Sequence, residues 1–289
     1  MKEFRLEIKD LSKSYGSVIG LNNFTFTFRQ GVYGILGPNG SGKSTLMNLI
    51  TDNIQRTSGE ILLNGNDILK LGKEYRKCIG YMPQQQGLYQ SFTPYQFLLY
   101  IASLKDLNKK EAKTQVIELL TLVNLKEQAH DKISSFSGGM KQRVHLAQSL
   151  LGSPSILIID EPTAGLDPSE RINIRNMIAD LSKDKIVIYS THIVSDIESV
   201  ADEVILLKDG ELVKSATSFE LVQSIKGKVI EKIVSKDNLP DLRRSYPSNN
   251  IIQSEKGLRF RIVSDIKPED FEVVKENITL EDVYLYYCR

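Results

Sequence analysis

The first part of the chain alternates between apolar and polar positions. FRLEIKDLS (4–12) and NNFTFTFRQG (22–31) place apolar side chains at alternate positions over much of their length, which predicts two antiparallel strands. The apolar run VYGILG (32–37) predicts a short buried strand that ends at a glycine-rich loop. STLMNLI (44–50) continues from that loop as a helix.

The middle of the chain, from about residue 87 to 150, has a helical pattern. TPYQFLLYIASL (93–104) begins on Thr93 as an N-cap with Pro94 in the first turn, and KKEAKTQVIELLTLV (109–123) predicts a second helix. This region therefore reads as a helical insert.

Apolar strands return after the insert. SILIID (155–160) and KIVIYST (185–191) are separated by a helical pattern, which is the alternation of a parallel sheet covered on both faces. EVILLKDGELVKS (203–215) predicts a hairpin that turns at Asp209–Gly210.

A further change of pattern follows residue 225. GLRFRIVSD (257–265) alternates like an edge strand, and TLEDVYLYYCR (279–289) predicts a short amphipathic helix. We expect residues 1–225 to form one domain and residues 226–289 to form a small C-terminal α+β appendage.

Composition excludes several classes of protein. The 289 residues are 41% hydrophobic and 25% charged, with a net charge of +1, so global charge favours neither nucleic acid nor an anionic membrane as a partner. The two cysteines, Cys78 and Cys288, form neither a disulfide framework nor a metal motif. The N-terminus lacks a signal-peptide pattern and no apolar run is long enough to cross a bilayer, so we expect a cytoplasmic protein.

The loop GPNGSGKST (37–45) carries the strongest chemical signal. Its glycines let successive N–H groups point at a polyphosphate, Lys43 reaches the β and γ phosphates, and Ser44 offers a hydroxyl to Mg²⁺. A strand before the loop and a helix after it complete the pattern of a P-loop NTPase.

Two further segments carry complementary chemistry. ILIIDEPTAGLD (156–167) ends a buried strand in Asp160, which can hold Mg²⁺, and Glu161, which can orient an attacking water. In SSFSGGMKQR (134–143), Ser137 and the two glycines after it open a helix whose first N–H groups favour an anion. The chain thus has two phosphate cradles.

Together, these three motifs resemble the nucleotide-binding subunit of an ABC transporter over roughly residues 1–225. The resemblance implies an α/β fold: a P-loop NTPase core with an antiparallel β subdomain and a helical insert, followed here by the C-terminal appendage. It also implies ATP and Mg²⁺ as cofactors.

The resemblance assigns roles to four more residues. Tyr15 matches the aromatic that stacks on adenine, although a packing role is the alternative. Gln84 matches a glutamine that touches Mg²⁺ or the water, although adjacent Gln85 and Gln86 also fit an ordinary polar loop. His192 matches the histidine that contacts the γ phosphate, with a packed polar residue as the alternative. Asp167 matches the acid of a loop that passes between subunits.

The expected site residues fall into three groups. The catalytic residues are Glu161, His192 and Gln84. The metal ligands are Ser44, Gln84 and Asp160. The nucleotide-binding residues are Tyr15, Gly37, Asn39, Gly40, Ser41, Gly42, Lys43, Ser44, Thr45, Ser137, Gly138, Gly139 and Asp167.

Two departures from the family pattern stand out. Met140 replaces the usual glutamine after the second cradle, which we expect to alter helix packing more than ligand contact. Gln96 and Phe97 stand where many relatives carry Glu-Asn, in a segment placed to meet a membrane partner. Neighbouring aromatics, of which Tyr89 and Tyr100 are examples, fit either a partner groove or burial.

The resulting prediction is an ATP-hydrolysing motor subunit on the inner face of the cell membrane. It dimerises around ATP with a second copy or a related ATPase, drives a separate membrane permease and binds no nucleic acid. The C-terminal TLEDVYLYY resembles the tail of ABC-2 type exporters, which favours export, although an amphipathic cap that packs on its own domain explains the same residues equally well. The alternatives are a soluble ABC ATPase acting on ribosomes or DNA, and a nucleotide sensor without turnover.

Overall fold

The computed structural model describes residues 4–84, 87–254 and 257–288, and these form three β-sheets with helices around them. The strands are β1 (Leu6–Tyr15), β2 (Val18–Phe28), β3 (Gly31–Leu36), β4 (Ser58–Leu63), β5 (Asn66–Asp67), β6 (Ile79–Met82), β7 (Ile156–Asp160), β8 (Ile186–Ser190), β9 (Glu203–Lys208), β10 (Glu211–Ala216), β11 (Val229–Val234), β12 (Asn250–Ser254), β13 (Gly257–Val263) and β14 (Glu272–Val273). The helices are α1 (Lys43–Ile50), α2 (Ile68–Leu71), α3 (Lys73–Lys77), α4 (Pro94–Leu104), α5 (Lys109–Leu122), α6 (Gly138–Leu150), α7 (Pro168–Leu181), α8 (Val194–Val200), α9 (Ser218–Ser224), α10 (Leu239–Ser245) and α11 (Leu280–Tyr287).

The first sheet has the order β2-β1-β4-β5 and is antiparallel. Strand β1 pairs Leu6 with Phe28 on one side and with Leu63 on the other, as the alternating pattern predicts. Leu6, Phe24 and Phe28 are fully buried, because their alternation turns them to the face that packs on the rest of the core.

The second sheet has the order β10-β9-β3-β8-β7-β6, and its strands are parallel except for β10. Successive side chains pack into two different hydrophobic clusters: Leu157 and Ile159 face the helices, whereas Ile156 and Ile158 face the antiparallel sheet. The sheet is therefore covered on both faces. Its parallel strands β3, β7 and β8 end at the same edge, where ligands bind in open α/β sheets.

Helices α4, α5 and α6 form the middle segment. Thr93 caps α4 as predicted: its hydroxyl accepts a hydrogen bond from the N–H of Gln96, and the Gln96 side chain accepts one from the Thr93 N–H. Phe97 is buried in the main cluster. Among the residues described, no helix is both long and apolar enough to span a bilayer.

The third sheet lies in the C-terminal segment and has the order β12-β13-β11-β14. The prediction of an edge strand at 257–265 was wrong, since β13 pairs with β12 on one side and with β11 on the other. Alternation of apolar and polar residues indicates that one face of a strand is exposed to solvent. In a sheet with one solvated face, interior strands have this pattern as well as edge strands, so the pattern does not distinguish them.

Helix α11 confirms the predicted C-terminal helix and packs on α8, α9, β9 and β13. Its Leu280 and Val283 belong to the same hydrophobic cluster as Leu206 and Ile197. The division into domains at residue 225 stays a prediction, and the packing of α11 shows that the C-terminal segment and the core share one cluster.

Candidate active site

A cavity of about 790 Å³ opens at the carboxyl edge of the parallel sheet. This volume is within the range of pockets that hold small ligands and cofactors. The cavity is lined by Tyr15, Val18, Ile19, Gly20, Gly37, Pro38, Asn39, Gly40, Gly42, Lys43, Ser44, Thr45, Gln84, Asp160, Glu161, His192 and Tyr284.

The glycine-rich loop forms one wall of the cavity, between β3 and α1. Gly40 and Gly42 have φ angles of 84° and 102°, a conformation that glycine adopts without a steric cost. Gly42 is also the N-cap of α1, so no side chain occupies the end of the helix. The first N–H groups of α1 are thus available to an anion, as the motif predicts.

Lys43 spans this loop. Its Nζ donates to the backbone carbonyl of Gly37 at 2.6 Å and to that of Pro38 at 3.0 Å. Burial lowers the pKa of Lys43, and the nearby carboxylates of Glu161 and Asp160 oppose that shift. The direct contacts of Lys43 are neutral carbonyl oxygens, so a bound polyphosphate would add negative charge next to this half-buried ammonium.

The end of β7 places two acids beside Lys43. Asp160 and Glu161 are both buried, and burial raises the pKa of Asp160, an effect to which Glu161 adds and which Lys43 opposes. Glu161 has a φ of 52°, in the left-handed region that is costly for a residue with a Cβ. Such strained backbone is typical of functional sites.

The end of β8 fixes the orientation of Glu161. The Glu161 N–H donates to the Ser190 carbonyl at 2.8 Å, and the Thr191 hydroxyl donates to Glu161 Oε2 at 3.1 Å. His192 Nδ1 lies 2.8 Å from the same oxygen, while the imidazole remains 64% exposed. Glu161 Oε2 is therefore held by two groups, the Thr191 hydroxyl and the His192 imidazole, and the exposed imidazole can also reach a ligand.

Tyr15 lies at the apolar end of the cavity with Val18 and Ile19. Its side chain is 48% exposed, Lys13 Nζ lies 5.0 Å from the ring centroid, and a Cβ on Gly20 would be only 2.7 Å from Tyr15 Cε2. The ring thus lies beside a glycine at the edge of the cavity, and about half of its surface remains exposed to a planar ligand.

The second cradle lies outside this cavity. The Ser137 hydroxyl caps α6 by accepting from the Met140 N–H at 3.2 Å, and the Met140 side chain packs against the main hydrophobic cluster. A Cβ on Gly138 would be nearest to Leu166, and one on Gly139 would collide with Glu170. The cradle is therefore beside the segment that carries Asp167.

Asp167 caps α7. Its carboxylate accepts from the Glu170 N–H at 2.9 Å and from the Ser169 hydroxyl at 2.7 Å, and these hydrogen bonds lower the pKa of Asp167. Arg143 of α6 pairs with Glu170 through two nitrogens, which ties the cradle helix to α7.

The structure thus sorts the expected site residues into two groups. Twelve of them line the cavity, whereas five lie outside its lining: Ser41, Ser137, Gly138, Gly139 and Asp167. Ser41 is buried at the base of the loop, with only 2% exposure. Gln84 is exposed at the rim, and its neighbours Gln85 and Gln86 lie outside the described residues.

Five cavity residues were missed by the sequence analysis. Pro38 lies between two predicted residues and could have been included by proximity, and Val18, Ile19 and Gly20 follow Tyr15 closely. Tyr284 comes from α11, and its approach to this cavity had no local signal in the sequence.

Comparison with known proteins supplies the family. Residues 21–164 match the family described as "ABC transporter". The chain is 39% identical over 208 residues to an ABC transporter ATP-binding protein of Bacillus subtilis, YxlF, with coverage of 72% of this chain and 69% of that protein. The chain belongs to the ABC transporter ATP-binding proteins.

Other ABC transporter ATP-binding proteins agree with this assignment. The linearmycin resistance ATP-binding protein LnrL of Bacillus subtilis is 34% identical over 227 residues, covering 78% of this chain and 73% of that protein. The bacitracin transport ATP-binding protein BcrA of Bacillus licheniformis is 36% identical over 212 residues, with 72% and 68% covered.

Solved ABC cassettes have the same fold. CbiO1 of Clostridium perfringens, part of the transporter complex cbiONQ, has a TM-score of 0.70 at 26% identity, covering 85% of this chain and 96% of its own. The dimeric cassette MJ0796 has a TM-score of 0.65 at 28% identity, with 73% and 98% covered. The predicted P-loop NTPase fold is confirmed.

This ABC ATP-binding protein is therefore the ATP-hydrolysing motor of a transport system. ATP is its nucleotide, as predicted, and cassettes of this kind are found as dimers and as parts of transporter complexes. The names of YxlF and BcrA refer to transport, which favours this function over the alternative of a soluble ATPase on ribosomes or DNA.

Proposed function

We propose that the cavity at the carboxyl edge of the parallel sheet binds Mg·ATP and hydrolyses it. The observation that carries this proposal is the convergence of three strand ends: Lys43 after β3, Asp160 and Glu161 at β7, and His192 after β8 all line one cavity. Tyr15 at the opposite, apolar end is suited to stack on adenine.

The donors at the phosphate end fit Mg²⁺. The Ser44 hydroxyl, the Gln84 amide oxygen and the Asp160 carboxylate are oxygen ligands, which Mg²⁺ prefers, and all three residues line the cavity. Burial makes the negative charge of Asp160 costly, so a cation beside it would be stabilising. When bound, Mg²⁺ would neutralise charge on the phosphates.

Hydrolysis then depends on the positions of three protein groups. Lys43 binds the β and γ phosphates, because its contacts with the Gly37 and Pro38 carbonyls hold the ammonium group at the wall of the cavity formed by the glycine-rich loop. Glu161 accepts a proton from the attacking water, and its Oε2 is already oriented by Thr191 and His192. His192 donates to the γ phosphate. Catalysis is thus mainly positioning and electrostatics.

The cradle of Ser137, Gly138 and Gly139, together with Asp167, completes the site of a second copy. These four residues lie outside the chain's own ATP cavity, yet α6 begins there with Ser137 and Gly138 exposed. A pair of copies related by a two-fold axis satisfies both cradles with two ATP molecules, and ATP then acts as the contact between them. A related ATPase in place of the second copy gives the same geometry.

Pairing around ATP and separation after hydrolysis drive a partner protein, which is a membrane permease. The ATPase then acts at the inner face of the membrane. An exposed aromatic surface supports a docking place: Tyr89 and Tyr100 are 50% and 39% exposed, and their ring centroids are 5.7 Å apart. The relatives named for linearmycin resistance and bacitracin transport support export, with an antibiotic-like compound as cargo.

Sedimentation tests the ATP-dependent pairing. We expect Glu161→Gln to remain dimeric with Mg·ATP and to become monomeric with Mg·ADP, because ATP persists when the water is not activated. Adding Ser137→Arg should abolish the dimer while ATP still binds. Thr114→Arg, on the exposed face of α5, is the matched control and should leave the dimer intact. A monomer with ATP bound in the Glu161→Gln variant would contradict the proposal.

A further inference from the structure

The C-terminal helix reaches the ATP cavity, which is not expected of an appendage that follows all the phosphate-binding segments in sequence. Tyr284, on the second turn of α11, lines the same cavity as Lys43, Glu161 and His192. Its side chain is only partly buried.

The contacts of α11 indicate which end of the cavity Tyr284 faces. The helix packs on α8, which begins two residues after His192, and on β9, next to β3 in the sheet. The apolar end with Tyr15, in contrast, is built by β1 and β2. Tyr284 therefore approaches from the side of the cavity that carries His192, where the proposed function places the γ phosphate.

Cys288 gives a second, independent indication. It lies four residues after Tyr284, so the two side chains share one face of the helix. Cys288 is buried, which raises its pKa to about 11, and the ammonium groups of Lys208 and Lys43 are close enough to oppose that shift. The same face of α11 is thus turned toward the glycine-rich loop.

Polar contacts fix α11 in this position. Arg261 of β13 pairs with Asp282 at its first turn, and the Tyr286 hydroxyl donates to Asp265 at 2.9 Å. The Lys214 ammonium of β10 donates to the Tyr287 hydroxyl at 3.0 Å. The helix is held by both the C-terminal sheet and the ATPase core, so it can carry Tyr284 to a defined place.

We propose that Tyr284 is a nucleotide-contacting residue, contributed by the C-terminal segment, whose hydroxyl donates to the γ phosphate of ATP. The inference rests on the proposed function of the cavity. It gives the C-terminal segment a direct response to the bound nucleotide, because ADP lacks the group that Tyr284 contacts.

Nucleotide affinities measured by calorimetry on the full-length Glu161→Gln protein test this inference. Tyr284→Phe should raise the Kd for Mg·ATP about tenfold, as expected for loss of a hydrogen bond to a charged group, and leave the Kd for Mg·ADP within about twofold. Glu281→Gln is the matched control: it changes an exposed side chain of the same helix outside the cavity, so its ATP to ADP ratio should stay unchanged.

Thiol labelling provides the second measurement. In a Cys78→Ser background, Tyr284→Cys should react with a maleimide in the nucleotide-free protein and be protected by ATP more than by ADP; Cys288 is 2% exposed and contributes little labelling. An unchanged ATP to ADP ratio in Tyr284→Phe, or labelling that ATP does not affect, would overturn the inference. If Lys43→Ala also kept full ATP affinity, the proposed ATP site itself would be wrong.

Discussion

Replacing Asp282 with alanine tests how the C-terminal helix is anchored. Asp282 is buried, and its side chain and that of Arg261 are 1% and 6% exposed. Its Oδ2 lies 3.4 Å from Arg261 Nη1 and accepts from the Thr279 N–H at 2.9 Å. Asp282→Ala therefore removes both the charge partner of a buried arginine and the side chain that closes the N-terminal cap of α11.

The expected loss follows from these two contacts. Breaking a buried ion pair costs about 3 to 5 kcal/mol, and the lower end applies because Glu231 Oε2 lies 3.5 Å from Arg261 Nε and offers a second carboxylate. Loss of the cap adds about 1 kcal/mol. We therefore expect the free energy of unfolding to fall by about 4 kcal/mol, a large fraction of the 5 to 15 kcal/mol typical of a domain.

Urea denaturation followed by circular dichroism measures this change. Asp282→Asn keeps an acceptor for the Thr279 N–H and should lose less. Asp241→Ala, which removes an exposed carboxylate 3.8 Å from Arg244, is the matched control and should have no measurable effect. A loss below about 1 kcal/mol for Asp282→Ala, or losses for Asp282→Ala and Arg261→Ala that simply add in the double variant, would refute the ion-pair reasoning.

Three predictions concern the ATP site. Lys43→Ala should weaken ATP binding about tenfold or more, because the phosphates lose their charge partner, and unchanged affinity in calorimetry would contradict that role. Glu161→Gln should still bind ATP while phosphate release falls about 100- to 10,000-fold, and near-normal turnover would exclude Glu161 as the base. Burial raises the pKa of Asp160 above its ordinary value of 3.8, so the folded state holds that proton more tightly than the unfolded state. The charged form thus costs stability at neutral pH, and this cost disappears as the pH falls below the ordinary value. Asp160→Asn should therefore raise the melting temperature of the nucleotide-free protein at neutral pH. If the melting temperature rises equally at a pH below 3.8, the charge of Asp160 is not the cause.

Features that depend on neighbouring residues could be predicted from the sequence. The wrap of the glycine-rich loop around Lys43 is encoded within the loop, and the strand that ends in Asp160 and Glu161 is visible as an apolar run. Parallel strands end at one edge of a sheet, so His192 could also be assigned to the same site.

Features that depend on distant packing could not. The approach of Tyr284 to the cavity requires α11 to pack on α8, and no spacing along the chain encodes that contact. The interior place of β13 depends on its pairing with β12, whose short segment gave no strong signal of its own. Ser41 belongs to a phosphate-binding motif, yet its side chain is buried against Gly37, and the spacing of the motif does not show which of its side chains turn away from the cavity.

Cross-linking between copies tests most directly the central claim that ATP is held between the loop of one chain and the cradle of another. Cysteines at Asn39 and Ser135 suit this purpose, since both residues are exposed whereas Ser41 is buried. In a Glu161→Gln protein with Cys78 and Cys288 replaced, we predict a disulfide-linked dimer with Mg·ATP that fades with Mg·ADP. Cross-links only within one chain, or equally abundant dimer without nucleotide, would contradict the account.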